Sequence, residues 1–122
     1  MKTLIQCTTL TAALAFSGLA VATDVEHFEG KDSNTLPEAV ANFSEYNDKL
    51  EAVLDGELTP EAMNEVHQLT YTLEKAIAKM SEELDNLAVT LEEVHLASES
   101  ADGETVSEQG AAYLEKSRQL VE

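Results

Sequence analysis

The chain has 122 residues, enough for one domain, and carries 24 acidic against seven basic residues for a formal net charge of −17. A surplus of that size repels nucleic acid and anionic lipid headgroups, and it favours divalent cations, polyamines or a basic protein partner. The single cysteine excludes an internal disulfide and a thiolate metal cluster.

Residues 1–22 read as a secretory signal peptide. Lys2 supplies the positive start, an apolar run extends from Leu4 through Leu14, Phe16 and Leu19, and Ala20-Val21-Ala22 forms an A-x-A cleavage site. Interspersed Thr, Gln and Ser, and the absence of a basic stop, argue against a membrane anchor. Cys7 lies early in the apolar run, where it is removed with the leader rather than becoming a lipidated N-terminus. Cleavage after Ala22 predicts a periplasmic or secreted chain that keeps no cysteine and no membrane attachment. It retains six basic residues against all 24 acids, hence a charge of −18.

Residues 23–34, with Asp24, Glu26, Glu29, Gly30, Asp32 and Ser33, read as a flexible or loosely docked N-terminal arm that Val25 and Phe28 pin. A single helical domain is expected over 35–122. Thr35-Leu36-Pro37-Glu38 is a capping box with proline in the first turn. Leu36, Val40, Phe43, Leu50 and Leu54 then mark one face of a helix over about 35–54, which Asp55-Gly56 stops.

Thr59-Pro60-Glu61 starts a second helix, and no glycine or proline follows before Gly103. Met63, Thr70, Ile77, Leu84 and Leu91 recur every seven residues, as do Val66, Leu73, Met80, Leu87 and Val94. Interleaved, they make an a/d seam of the coiled-coil kind over a helix at about 60–97, some 57 Å long. Asp102-Gly103 breaks the pattern. A third helix over about 104–121 shows Val106, Gly110, Tyr113, Leu114, Leu120 and Val121 on its apolar face, with Lys116 and Arg118 near its end. Gly110 weakens that helix or permits a close approach.

These lengths predict an all-α fold of three antiparallel helices around one long, coiled-coil-like central helix. The first and third helices lie end to end along the second. A layer two helices deep leaves part of the seam exposed, which a homodimer through the long helices covers. The alternative is a four-helix bundle with the central helix bent near Met80-Ser81, where no glycine or proline invites a kink.

Five stretches carry a resemblance. They are Val25-Glu26-His27-Phe28-Glu29-Gly30-Lys31, Glu38-Ala39-Val40-Ala41-Asn42-Phe43-Ser44-Glu45-Tyr46-Asn47, Leu58-Thr59-Pro60, Glu65-Val66-His67-Gln68-Leu69-Thr70-Tyr71-Thr72-Leu73-Glu74, and Leu91-Glu92-Glu93-Val94-His95-Leu96-Ala97-Ser98-Glu99. On these the chain resembles a family of small exported proteobacterial proteins carried as a domain of unknown function. The resemblance spans nearly all of 25–120 and implies periplasmic export and a helical fold. It implies no activity and transfers no ligand residue.

Few residues offer chemistry. His67 and His95 both follow Glu-Val, and Glu92 with His95 forms a Glu-x-x-His pair on one helical face, a metal-ligating spacing. Asn64 breaks the matching pair before His67, and 28 residues along one helix separate the imidazoles by about 42 Å. One chain therefore cannot close both around an ion, although an antiparallel dimer brings His67 near His95 of the other copy. Met63, Met80, His67 and His95 are residue types that ligate haem, but there is no C-x-x-C-H and the methionines fit the seam as gap fillers. No cofactor is predicted. Asn47 and Thr70 are polar residues at apolar positions, of the kind that fix register. Tyr46, Tyr71 and Tyr113 come one per helix, and Glu82-Glu83 and Glu92-Glu93 read as solvated pairs. No phosphate loop, serine elbow or His-Glu-x-x-His occurs. The expectation is a non-enzymatic periplasmic interaction protein, an adaptor or stress-related binder, with a metal or haem carrier as the alternative.

Overall fold

The structure, a computed structural model, describes residues 28–121. The predicted signal peptide and residues 23–27 of the arm, Val25 among them, lie outside the described residues. Three helices make up the fold: α1 (Leu36–Leu54), α2 (Pro60–Glu99) and α3 (Gly103–Val121). Each lies within two residues of its predicted bounds. No strand occurs among the described residues, and none of their helices is long and apolar enough to cross a membrane.

Local chemistry sets the helix ends. The Thr35 hydroxyl accepts from the Glu38 N–H at 3.3 Å, and the Glu38 carboxylate accepts from the N–H groups of Thr35 at 3.3 Å and Asn34 at 2.9 Å. Two of the donors left open at a helix start, those of Thr35 and Glu38, are thus satisfied, along with that of Asn34 just before the cap. Thr59 caps α2 through the Ala62 N–H at 3.2 Å, with Pro60 in the first turn. At the other end of α2 the chain turns in a Schellman pattern: Asp102 N–H donates to the Ala97 carbonyl at 2.9 Å and Ala101 N–H to that of Ser98 at 3.3 Å. The left-handed residue of this turn is Ala101, with φ of 55°. Gly103 is instead the first residue of α3, which Asp102 caps by accepting from the Thr105 N–H at 3.2 Å and hydroxyl at 2.7 Å.

Five residues join α1 to α2 and three join α2 to α3, so both short helices fold back along the long one. Lys31 and Asp32, just ahead of α1, meet Thr72 and Lys75, and Lys116 near the end of α3 meets Glu83. The two short helices therefore lie end to end, α1 on the first half of α2 and α3 on the second. Forty residues give α2 a length of about 60 Å. It runs unbroken through Met80-Ser81, without the reversal a four-helix bundle requires.

Residues 28–34 form no helix or strand, yet they are fastened down. Gly30 presses on α2 so closely that an added Cβ would sit 2.6 Å from the Thr72 nitrogen. Lys31 N–H donates to the Thr72 hydroxyl at 2.9 Å, and Lys75 donates to the Gly30 carbonyl at 2.8 Å and the Asp32 carboxylate at 2.6 Å. From α1, the Asn42 amide donates to the Asp32 carbonyl at 3.0 Å and the Ser33 hydroxyl at 2.9 Å. Over these residues the expected flexible arm is a strap across the α1–α2 junction, held by polar groups that a composition-based reading sees only as loop formers.

Candidate interaction surface on the long helix

The line of α2 turned into the bundle runs Leu69, Leu73, Ala76, Met80, Glu83, Leu87, Thr90, Val94 and Ala97, with alternating spacings of four and three. Between these positions Thr72 is buried under residues 30 and 31 and Thr70, Tyr71 and Lys79 are half-buried, while most of the outer face is exposed. The predicted seam is therefore split. Its second row, Leu73, Met80, Leu87 and Val94, faces inward, with Leu73 and Leu87 each 7 % exposed. Its first row does not pair with it inside the molecule. Met63 is 58 % exposed, Ile77 and Leu84 51 %, and Leu91 46 %, while Thr70 is half-buried.

The inward partner row lies one residue earlier: Leu69, Ala76, Glu83, Thr90 and Ala97. Ala76 and Ala97 are small enough to let a neighbouring helix approach closely. Glu83 fits because it is neutralised in place. Its carboxylate meets Lys79 at 2.8 Å and Lys116 of α3 at 3.2 Å. The hydrogen bonds from Lys79 and then Lys116 hold the Glu83 carboxyl below its ordinary value of 4.5, and Glu83 in turn raises Lys79. The expectation that Glu82-Glu83 is a solvated pair holds for Glu82, which bonds Lys79 at 3.2 Å from an exposed position. It fails for Glu83, because two lysines converge on its position.

The residues singled out for chemistry lie apart. His67 is exposed, edge-on to Tyr71 at 5.1 Å, with its Nε2 3.3 Å from the Tyr71 hydroxyl. Tyr71 also meets Phe28 of the strap at 6.3 Å. His95 lies 3.4 Å from Glu99 rather than beside Glu92. Both histidines flank the outward row. Among the described residues no group of three or more His, Cys, Asp or Glu is placed to hold a metal ion. Met63 is exposed and Met80 half-buried. The Thr70 hydroxyl donates to the His67 carbonyl of its own helix at 2.7 Å, so it is engaged locally. Asn47 lines a shallow groove with Leu50 and Leu54. Among the described residues the buried polar side chains are Asn42, Thr72 and Glu83, none of which the sequence reading placed in the core.

A second apolar feature adjoins the outward row. Leu84, Leu87 and Leu91 of α2 and Tyr113, Leu114 and Leu120 of α3 line an open groove of about 560 Å³. With the exposed Leu84, Leu91 and Leu114 it continues the apolar stripe onto α3.

A family model matches residues 1–122, the whole chain, and its description is a family of unknown function, DUF6746. The chain belongs to that family. No curated protein and no solved structure matches it. Membership fixes no activity, and the surface on α2 is the feature left to interpret.

Proposed function

We propose that this is a non-enzymatic helical interaction protein of the periplasm, an adaptor or stress-related binder. It self-associates through the outward row of α2. One observation carries the reading: bulky apolar side chains at Ile77, Leu84 and Leu91, and at Met63 two repeats earlier, sit on a seven-residue grid and stay about half exposed. Seven-residue spacing matches the pitch at which two long helices pack, and the α3 groove that Leu84 and Leu91 line still leaves them about half exposed. A second α2 is the one helix of matching length that the protein offers. The export reading rests on the leader-like residues 1–22, and the acidic surplus suits a basic client protein or divalent cations. The lack of any catalytic motif in the sequence supports the non-enzymatic reading.

Sedimentation at low and high salt tests it. The protein is expected to be a dimer at tens of micromolar in high salt and to dissociate as salt falls, because unscreened charges of like sign oppose association. Ile77→Glu, at a position 51 % exposed, is expected to leave the helix content intact and the protein monomeric. A wild-type monomer in high salt would remove the reading.

A further inference from the structure

We infer that α3 is a releasable flap whose opening completes the contact surface on α2; the second half of this inference rests on the self-association proposed above. Four observations converge. Helix α3 buries no side chain fully, Val106, Tyr113 and Leu120 being half-buried, whereas α1 fully buries Leu36, Ala39 and Asn42. An open apolar groove of about 560 Å³ runs along the α2–α3 junction. Lys116 of α3 is tied to Glu83 by an ion pair at 3.2 Å that a single substitution can remove. The hinge is three residues long and holds Ala101 at φ 55°, a left-handed conformation that disfavours a residue with a Cβ. Opening the hinge releases that strain, while the strap and its hydrogen bonds keep α1 in place.

The residues uncovered define the consequence. Leu87 and Ala97 are each 7 % exposed, and Leu87 lies against α3 in the groove. With α3 swung away, Leu87 and Val94 join the outward Leu84 and Leu91 in a full a/d seam over the second half of α2. The closed molecule offers one row of that seam, and the open one offers both. Short hinges under strain also favour exchange of the hinged element between copies, so a second copy of this chain is the occupant this geometry suits.

Amide hydrogen exchange of the whole protein, at a concentration where it is monomeric, tests the flap by itself. Residues 103–121 are expected to exchange at least about tenfold faster than residues 36–54, since local opening draws on the least buried element. Glu83→Gln is expected to speed α3 further and leave α1 unchanged. Ala101→Gly, which removes the hinge strain, is expected to slow α3. Equal protection of α1 and α3, or an Ala101→Gly that leaves α3 unchanged, overturns the flap. Sedimentation of Glu83→Gln then tests the surface, with tighter association expected. Rapid α3 exchange without any gain in association refutes the seam while the flap stands, so the two failures are distinguishable.

Discussion

Gly30→Ala separates a docked strap from a passive tail by the sign of its effect. Gly30 has no positive φ, so alanine suits its backbone, and on an undocked segment the change would stabilise by about 0.4–1 kcal/mol through the unfolded chain. In the folded protein the new methyl would lie 2.6 Å from the Thr72 nitrogen, 2.7 Å from the Tyr71 carbonyl carbon and 2.8 Å from the Tyr71 Cβ. Carbon contacts settle near 3.5–4.0 Å, so the strap must retreat by about 1 Å from helix backbone that cannot yield. That retreat stretches the 2.9 Å bond from Lys31 N–H to the fully buried Thr72 hydroxyl beyond hydrogen-bonding range. Losing that bond and leaving a buried group short of its partner costs about 2–3 kcal/mol, comparable with overpacking a core. Against the entropic gain, the net loss is about 1–2 kcal/mol. For a domain of this size that lowers Tm by roughly 5–15 °C, read by circular dichroism at the helical minimum. Gly110→Ala is the contrast. An added Cβ there meets nothing within 4 Å, which also removes close approach as the reason for that glycine. In mid-helix, it is expected to raise stability by about 0.5–1 kcal/mol. A Gly30→Ala protein that melts at or above the wild-type temperature refutes the docked strap.

Other changes probe the same scaffold. Asn42→Ala removes the amide that bridges the Asp32 carbonyl and the Ser33 hydroxyl from a site 2 % exposed, and an expected loss of about 1–3 kcal/mol is measurable as a lower urea midpoint. Ala101→Gly relieves the left-handed turn after α2 and is expected to gain about 1 kcal/mol in the same assay. Acid acts on Glu83 with a definite sign. Its folded value lies below 4.5, so its contribution is present above that pH and is lost as pH falls through the lower folded value. Neutralising the other carboxylates at the same time relieves a net charge of −17 and works the opposite way. The stability difference between wild type and Glu83→Gln isolates the first effect. It is expected to shrink from pH 7 to about pH 3, and a constant difference counts against the Lys79–Glu83–Lys116 arrangement.

The helices were legible because their signals are local. A capping box at Thr35, a capped proline at Pro60 and a long interval without glycine place the ends to within two residues. The antiparallel, end-to-end arrangement followed from lengths and short connections. The strap was not legible, because Asn42 and Thr72 are polar in one dimension and buried in three. Each is satisfied by a partner supplied from outside its own helix. The break at Asp102-Gly103 was legible, but not which residue turns the chain. Glycine marks left-handed turns only statistically, and here Ala101 takes the strain while Gly103 opens the next helix.

The seam holds the deeper ambiguity. A seven-residue repeat states that an apolar stripe follows a helix, but not whose side chains cover it. On α2 the row at Leu73, Met80, Leu87 and Val94 serves the bundle whichever neighbour it takes on its flank. The flank actually used, Leu69, Ala76, Glu83, Thr90 and Ala97, looks poor by hydrophobicity. It offers small residues where helices come close and an acid where two lysines converge. The richer flank, with Met63, Ile77, Leu84 and Leu91, is left outside. A helix needing only its own two neighbours gains nothing from bulky apolar residues there, and in a chain with this charge surplus they act against solubility. Replacing Met63, Ile77, Leu84 and Leu91 together by Gln therefore separates the two uses of the repeat. If the row serves a partner, the variant keeps its Tm at dilutions where the wild type is monomeric and loses self-association. A fall in that monomeric Tm of more than about 5 °C, on the order of 1 kcal/mol, would mean that the row belongs to the fold after all.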